Sequence, residues 1–238
     1  MSDFNALVQQ RALWRARDFV SSKELTRTNL STGYRVLDDV LYDGGWPTSG
    51  VVEILCDCYG IGELRLLTPA LAKLSQQDTT WVVWINPPFV PYAPALDAEG
   101  ISVHHLLLVY PHTHKEALWA LEESMLSGSC KTIIAWLNEE ELTAQEIRKI
   151  QTHARQNGVW VTLFRPQSAA RQSSASELRL RLDPVVRNCG DTILVSILKR
   201  RGGWFLDDLK VELSTKPISC TLAKLESRIE EWRTQGIQ

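Results

Sequence analysis

The sequence has little net charge, few cysteines and no long apolar run. Its 26 basic and 28 acidic residues give a formal net charge of −2 at pH 7, so the chain as a whole is not attracted to nucleic acid or to anionic membranes. No apolar run approaches the roughly 18 residues of a membrane-spanning helix, and no charged-then-apolar leader opens the chain. These absences predict a cytoplasmic protein without membrane contacts, in which any nucleic-acid binding is local.

Cysteine is also sparse and scattered. The five residues are Cys56, Cys58, Cys130, Cys189 and Cys220. Only the first two lie close together, and nothing else stands at the spacing of zinc ligands. The histidine pairs at 104–105 and 112/114 lack a carboxylate or cysteine at helpful spacing. We therefore predict reduced thiols, no metal site and no cofactor.

Apolar strands alternating with helices make up most of the chain. Continuous apolar runs at 80–85 and 132–137 predict buried strands, and further strands are predicted at 105–110 and 159–164. Helices are predicted at 64–74, 93–99, 115–126 and up to residue 156, the last after a capping box formed by Thr143 and Glu146. This alternation predicts an α/β fold with a mostly parallel sheet, and the pattern after Leu178 predicts antiparallel strands. Nine tryptophans are many for 238 residues, so some are expected on a contact surface.

The chain is organised around residues 31–66. They predict a helix, a Gly-Gly-Trp-Pro turn, a strand at 51–55, a glycine loop and a helix opening near Gly60, which is the order found in a P-loop protein. A working loop reads G-x-x-x-x-G-K-[ST]. The matched positions here are Cys56 or Asp57, Gly60, Gly62, Glu63 and Leu64. A carboxylate about 4 Å from a phosphate would cost about 4 kcal/mol, so we predict a degenerate P-loop without nucleotide.

Three further segments are candidates for binding. Residues 5–20 predict an amphipathic helix that either covers its own domain or docks on a partner. Its candidate contact residues are Leu7, Leu13, Trp14, Arg15 and Arg17. Residues 21–30 complete an N-terminal helix and linker at 1–30, ahead of a core domain at 31–215 and a C-terminal helix or tail at 216–238.

The polar segment 167–176 is either a solvated flexible loop or a contact to DNA or a partner through Arg171. The basic tip that follows the strand at 192–198 is likewise either solvated or a contact to DNA phosphate or an acidic partner surface. Its candidate residues are Lys199, Arg200 and Arg201.

Several stretches resemble known families. Ser31-Thr32-Gly33, Gly44-Gly45 and Val52-Glu53-Ile54 resemble the run leading into the P-loop of RecA recombinases. The stretches WINPPFVPYAPAL, LWALEESMLSGSCKTIIAWLNEEEL and FRPQSAARQSSASELRLRL resemble ImuA, a family of RecA-like accessory proteins of translesion synthesis. They also resemble its shorter relative SulA, the SOS division inhibitor.

The resemblance implies a RecA-like P-loop NTPase fold without catalysis. The position of the general base falls on Pro88 and that of the magnesium aspartate on Trp136. The implied function is an accessory role in SOS-induced, error-prone translesion synthesis and DNA repair. The implied partners are an ImuB-type Y-family polymerase homologue, an error-prone replicative-type polymerase and RecA, with a weak DNA contact. One alternative is a SulA-like inhibitor that binds FtsZ, and a second is an active RecA-type ATPase.

Overall fold

A computed structural model describes residues 29–76, 80–185 and 191–213. Within these ranges the chain forms one sheet of eight strands. The strands are β1 (Gly50–Leu55), β2 (Trp81–Ile85), β3 (Leu106–Val109), β4 (Cys130–Trp136), β5 (Trp160–Arg165), β6 (Leu178–Pro184), β7 (Thr192–Lys199) and β8 (Leu206–Glu212). Their spatial order is β3-β2-β4-β5-β1-β6-β7-β8.

Five α-helices accompany these strands in the described part of the chain. They are α1 (Arg35–Asp38), α2 (Thr68–Ser75), α3 (Ala93–Ala98), α4 (His114–Leu126) and α5 (Ala144–Gln156). The predicted capping box of α5 is confirmed, because the Thr143 side chain accepts from the Glu146 amide and the Glu146 side chain accepts from the Thr143 amide. A second box, Thr113 with Glu116, begins α4.

The strands from β1 to β6 pair in parallel, whereas β7 pairs antiparallel with both β6 and β8. The predicted mixed α/β fold with a mostly parallel sheet is therefore confirmed. β6 differs from the prediction, because its alternating sequence lies parallel to β1 and antiparallel to β7. The alternation of apolar and polar residues therefore indicates that the two faces of β6 have different surroundings. It does not indicate whether the strand pairs in parallel or antiparallel.

The core lies on both faces of the sheet, as the continuous apolar strands require. On one face Val52 and Ile54 of β1 pack in a cluster with α2. On the other face Val51 packs in a second cluster with α4 and α5. Neighbouring side chains of β1 thus enter opposite cores, and every residue of this central strand is buried.

The segment before β1 is braced by local hydrogen bonds. The buried Asp38 carboxylate accepts from the Thr32 amide at 2.8 Å, from the Thr32 hydroxyl at 2.7 Å and from the Ser31 hydroxyl at 2.6 Å. Gly45 has no room for a side chain, since a Cβ atom there would lie 2.1 Å from the Leu30 carbonyl oxygen. Residues 31–45 therefore have a structural role in positioning β1.

Tryptophan is divided between core and surface. Trp46, Trp84, Trp136 and Trp160 are buried, whereas Trp81, Trp119 and Trp204 are exposed. The prediction that some tryptophans lie on the surface is confirmed, and their role in contacts stays a prediction.

The predicted terminal elements fall mainly outside the described residues. These include the helix at 5–20 with Leu7, Leu13, Trp14, Arg15 and Arg17, and the helix or tail at 216–238. The end of the predicted linker is described, and there it is part of the fold, because Leu30 pairs with Trp46. No helix of the described ranges has the length and apolar composition needed to cross a membrane.

Candidate functional site at the carboxyl edge of the sheet

The loop after β1 is the place at which a P-loop would bind phosphate. Here Gly60 and Gly62 have φ angles of +79° and +101°, and the regular helix α2 begins only at Thr68. The prediction of a helix that opens near Gly60 is wrong. Because both glycines adopt left-handed conformations, a right-handed helix cannot run through them.

The Glu63 side chain folds back into this loop. Its Oε1 atom accepts a hydrogen bond from the Gly60 amide at 3.0 Å, and the residue is only 6% exposed. Its Oε2 atom is buried without a hydrogen-bond partner among the described residues. An amide that could face an anion therefore already donates to a carboxylate, and the second carboxylate oxygen would repel a phosphate.

Cys56 opens the same loop and is buried. Burial raises the pKa of its thiol to about 12, and the charges of Glu63, Asp57 and Cys58 act in the same direction. The thiol therefore stays protonated at neutral pH and is a weak nucleophile. In the described part of the chain no histidine, cysteine and carboxylate side chains cluster as metal ligands would.

Aromatic rings occupy the neighbouring strand ends. Trp136, at the position matched to the magnesium aspartate, stacks on Phe164 with ring centroids 4.9 Å apart and planes at 8°. On the other side of β4, Trp84 of β2 has its ring centroid 6.0 Å from that of Trp136. Pro88, matched to the general base, lies in the loop after β2. Trp84, Trp136 and Phe164 thus supply apolar packing, and Pro88 an exposed ring, where a nucleotide site would need carboxylates.

A buried ion-pair network lies next to the loop, and the sequence analysis did not predict it. Glu53 of β1 is fully buried. Arg165 of β5 bonds it at 3.1 Å and also pairs with Glu139 at 2.7 Å, while Arg179 of β6 bonds the second Glu53 oxygen. A glutamate within a fully buried strand was the available signal, since a buried carboxylate requires partners.

The network keeps Arg165 charged. Burial alone would lower the pKa of Arg165, but hydrogen bonds to Glu139 and the charge of Glu53 outweigh it and raise the pKa. Two carboxylates and two guanidinium groups balance one another within the network. The arrangement therefore acts as a structural brace between β1, β5 and β6.

The connection from β5 to β6 is attached to this brace. Arg179 donates to the carbonyl oxygens of Ala169 and Gln172, each at 2.8 Å, and the Ser174 hydroxyl donates to Glu53 at 2.6 Å. The segment 167–176 is therefore held to the fold at several points, while its residues 170–173 are exposed, and its contact with DNA or a partner stays a prediction. Arg171 ends a 3-10 turn in this segment and is exposed.

Exposed apolar side chains gather on the loops at this edge. We call Tyr59, Phe89, Val90, Tyr92 and Tyr110 the aromatic surface. Tyr59 and Phe89 meet edge to face with centroids 6.0 Å apart, and Phe89 and Val90 are 69% and 79% exposed. Such a cluster is typical of a surface that binds another protein.

The loop that carries Phe89 is stiff. It begins at Asn86, which has a φ of +52° and donates its amide to the Val109 carbonyl at 2.9 Å. Pro87, Pro88 and Pro91 then restrict the backbone. A stiff loop loses little conformational entropy when a partner binds, so the aromatic surface is well preorganised.

Acidic residues share this edge. Asp57 lies two residues before Tyr59, and Glu140 and Glu141 follow β4; all three are exposed. Asp57 also accepts from the Gln167 amide at 2.8 Å. The exposed Arg171 provides an opposite charge nearby in the chain segment after β5. The edge therefore combines apolar rings with an acidic border.

The predicted basic tip lies at the opposite, amino edge of the parallel strands. Lys199 donates to the Ser174 carbonyl at 2.9 Å, Arg200 donates to the Val40 and Trp204 carbonyls, and Arg201 lies over the Tyr42 ring. The structure thus separates Lys199, Arg200 and Arg201 from the loop after β1, whereas Lys199 contacts the segment 167–176 that carries Arg171.

Fold and site together describe a mixed α/β protein with an acidic loop and exposed aromatic side chains at the carboxyl edge of its sheet. Comparison with known proteins relates it to a family. Residues 57–161 match the family described as "Cell division inhibitor SulA". This match begins just after β1 and ends within β5, so it contains the whole aromatic surface and excludes β6, β7 and β8.

Individual relatives agree with this match. The chain is 29% identical over 131 residues to the cell division inhibitor SulA of Edwardsiella piscicida, an alignment that covers 54% of this chain and 76% of that protein. The crystal structure of SulA from Pseudomonas aeruginosa shares 25% sequence identity, with a TM-score of 0.41 over 49% of this chain and 97% of that chain. The sequence similarities support the predicted relation to SulA and do not single out ImuA.

Proposed function

We propose that the chain is a non-catalytic, SulA-type inhibitor of cell division that binds the tubulin-like protein FtsZ through the aromatic surface. The observation that carries the proposal is the position of that surface, since all five of its residues fall within the stretch matched to the SulA family. The protein would act in the cytoplasm during the SOS response. This function corresponds to the alternative of the sequence analysis rather than to its main prediction.

The geometry of the surface suits this role. Phe89 and Val90 expose apolar area that would leave water on binding, at about 25 cal/mol per Å². The proline-rich loop holds these side chains in place, so binding need not order them first. The acidic border of Asp57, Glu140 and Glu141 favours a partner face with basic residues, because opposite charges speed association and disfavour acidic competitors.

We infer further that the fold is a P-loop scaffold of the RecA type that does not use nucleotide. The order of β1, glycine loop and α2 supports this interpretation. The orientation of Glu63 toward the Gly60 amide supports the absence of phosphate binding, and the aromatic packing of Trp136 supports the absence of a magnesium carboxylate. On this proposal the protein inhibits division by binding another protein, without binding or hydrolysing nucleotide.

The test is inhibition of FtsZ polymerisation, followed by light scattering with the purified proteins. We expect the wild-type chain to inhibit and Phe89→Ala to need about tenfold more protein for the same effect, since truncation of an aromatic anchor that costs about 1.4 kcal/mol weakens binding tenfold. Trp119→Ala is the matched control, because Trp119 is similarly exposed but lies on α4. An inactive wild-type protein, or equal loss in both variants, would contradict the proposal.

A second candidate function is the accessory role in translesion synthesis. The observation in its favour is that β1, β6, β7 and β8 lie outside the SulA-matched stretch, yet they complete the same sheet. The longer ImuA resemblance includes part of this region. A pull-down from damaged cells distinguishes the two functions: FtsZ recovered with the chain supports the first, and an ImuB-type polymerase homologue, a replicative-type polymerase or RecA supports the second.

A further inference from the structure

The tip of the β7–β8 hairpin presents an unusually exposed tryptophan. Trp204 is 90% exposed and Phe205 is 56% exposed. Neither ring contributes to the core at this position, so the fold itself gives no reason for them. Large apolar side chains in such a place are characteristic of a contact surface.

The tip is held in a fixed shape by Arg200. Its guanidinium group donates to the Val40 carbonyl beneath the hairpin and, at 3.1 Å, to the Trp204 carbonyl within it. The absence of a side chain at Gly203 leaves room for the Arg200 side chain, since a Cβ atom there would lie 2.2 Å from the Arg200 Nε atom. The rings are therefore projected from an anchored backbone, which limits the entropy lost on binding.

Basic residues precede these rings in the chain and are exposed at the same hairpin tip. Arg201 places its guanidinium carbon 4.9 Å from the centre of the Tyr42 ring, and Lys199 is exposed. The sequence contains no acidic residue from Lys199 to Leu206. The tip thus carries cations and flat aromatic faces side by side.

The acidic groups near the tip are mostly paired with arginines. Glu177 bonds Arg155 at 2.5 Å, and Asp207 bonds Arg181 at 3.0 Å. Arg155 and Glu177 also line a cavity of about 200 Å³ together with Arg200, Arg201, Tyr42 and Asp43. The cavity therefore has three guanidinium groups against two carboxylates, which extends the positive character of the tip.

We propose that this hairpin tip binds single-stranded nucleic acid. Trp204 and Phe205 would stack on unpaired bases, while Lys199 and Arg201 would contact phosphates. Single-stranded binding sites combine basic grooves with aromatic platforms in this way, and base stacking tolerates any sequence. Duplex DNA hides the faces of its bases, and an acidic peptide would use the cations but would not need two exposed rings. This proposal does not depend on the binding of FtsZ.

The experiment is fluorescence anisotropy with a labelled oligothymidylate of about 20 nucleotides, a length that covers more than one typical site. We expect a dissociation constant of about 10⁻⁵ to 10⁻⁶ M at low salt that weakens as salt is raised. Trp204→Ala should weaken binding about tenfold. Arg201→Ala should weaken it and reduce the slope of log affinity against log salt by about one. Trp119→Ala should leave affinity unchanged, and melting curves should show all three variants folded.

The proposal is overturned if the wild-type protein does not bind the oligonucleotide, or if Trp204→Ala binds it as tightly as wild type. Polyglutamate that competes as well as unlabelled oligothymidylate would identify an acidic protein partner instead. Duplex DNA bound as tightly as the single strand would show that charge alone is recognised, and that result also rejects the stacking role.

Discussion

The carboxyl edge of the sheet and the β7–β8 hairpin tip both expose aromatic side chains, but their charges are opposite. The aromatic surface is bordered by Asp57, Glu140 and Glu141, whereas the tip carries Lys199 and Arg201 and has no acidic residue before Asp207. The overall charge of −2 hides this division. Net charge is therefore a poor guide to binding when the charges of a fold are segregated.

The two regions also differ in their relation to known proteins. The aromatic surface lies within the SulA-matched stretch 57–161, and the hairpin tip lies outside it. They are joined through the segment from β5 to β6, which contacts Asp57 at the carboxyl edge through the Gln167 amide and Lys199 near the hairpin tip through the Ser174 carbonyl. One sheet thus carries both a surface inside the SulA-matched stretch and a surface outside it.

The largest expected effect comes from breaking the brace between the regions. Glu53→Ala would leave Arg165 and Arg179 buried without their shared carboxylate, and we expect it to lower the free energy of unfolding by about 3–5 kcal/mol. Denaturant unfolding measures this. Glu140→Ala removes an exposed carboxylate from the same edge and should change stability by less than about 0.5 kcal/mol. Equal stability of both variants would mean that the network contributes little.

The next effect separates the two surfaces by function. Phe89→Ala should weaken FtsZ inhibition about tenfold and leave oligonucleotide binding unchanged, while Trp204→Ala should do the reverse, because each ring anchors a different contact. Both residues are exposed, so each substitution should change the melting temperature by only a few degrees at most. Loss of both activities in one variant would show that the two surfaces are not independent.

A smaller effect concerns acid stability at the carboxyl edge. Burial tends to raise the pKa of Glu146, but hydrogen bonds from Thr143 and the nearby His114 outweigh it and lower the pKa below the ordinary 4.5. A lowered folded pKa means that the carboxylate stabilises the fold above about pH 4.5 and that this contribution is lost as pH falls through the folded pKa.

Glu146→Gln should therefore lower the free energy of unfolding at pH 7 by about 0.5–1 kcal/mol, because the charged capping contact is lost. It should also reduce the fall in the free energy of unfolding between about pH 6 and pH 3. Melting curves across this range give the comparison, with Glu141→Gln as the exposed control. A parallel decline in wild type and variant would assign acid sensitivity to other groups.

The smallest expected signal is nucleotide binding. Calorimetry with magnesium and ATP should give no measurable heat of binding. Glu63 accepts the hydrogen bond of the Gly60 amide, and its negative carboxylate would repel a phosphate. The double variant Glu63→Lys with Leu64→Thr should still show no turnover, since Trp136 and Pro88 supply neither a magnesium ligand nor a base. Micromolar ATP binding, or turnover in the double variant, would make the carboxyl edge a nucleotide site.

The sequence by itself determined the order and type of the central elements. Continuous apolar runs identified β2 and β4, because strands buried on both faces need apolar residues at every position. The pair Thr143 and Glu146 identified the start of α5, because a capping box is a local interaction. The relation to SulA was likewise visible in stretches such as WINPPFVPYAPAL.

Only the tertiary structure decided how distant residues meet. Glu53 precedes Arg165 and Arg179 by more than a hundred positions in the chain. Their pairing depends on which strands become neighbours in the sheet. The same holds for Tyr59 and Phe89, and for the anchoring of Arg200 on Val40. Local rules read spacing along one element, whereas the partners of a buried charge or an exposed ring are set by strand order and by the path of the connections between strands.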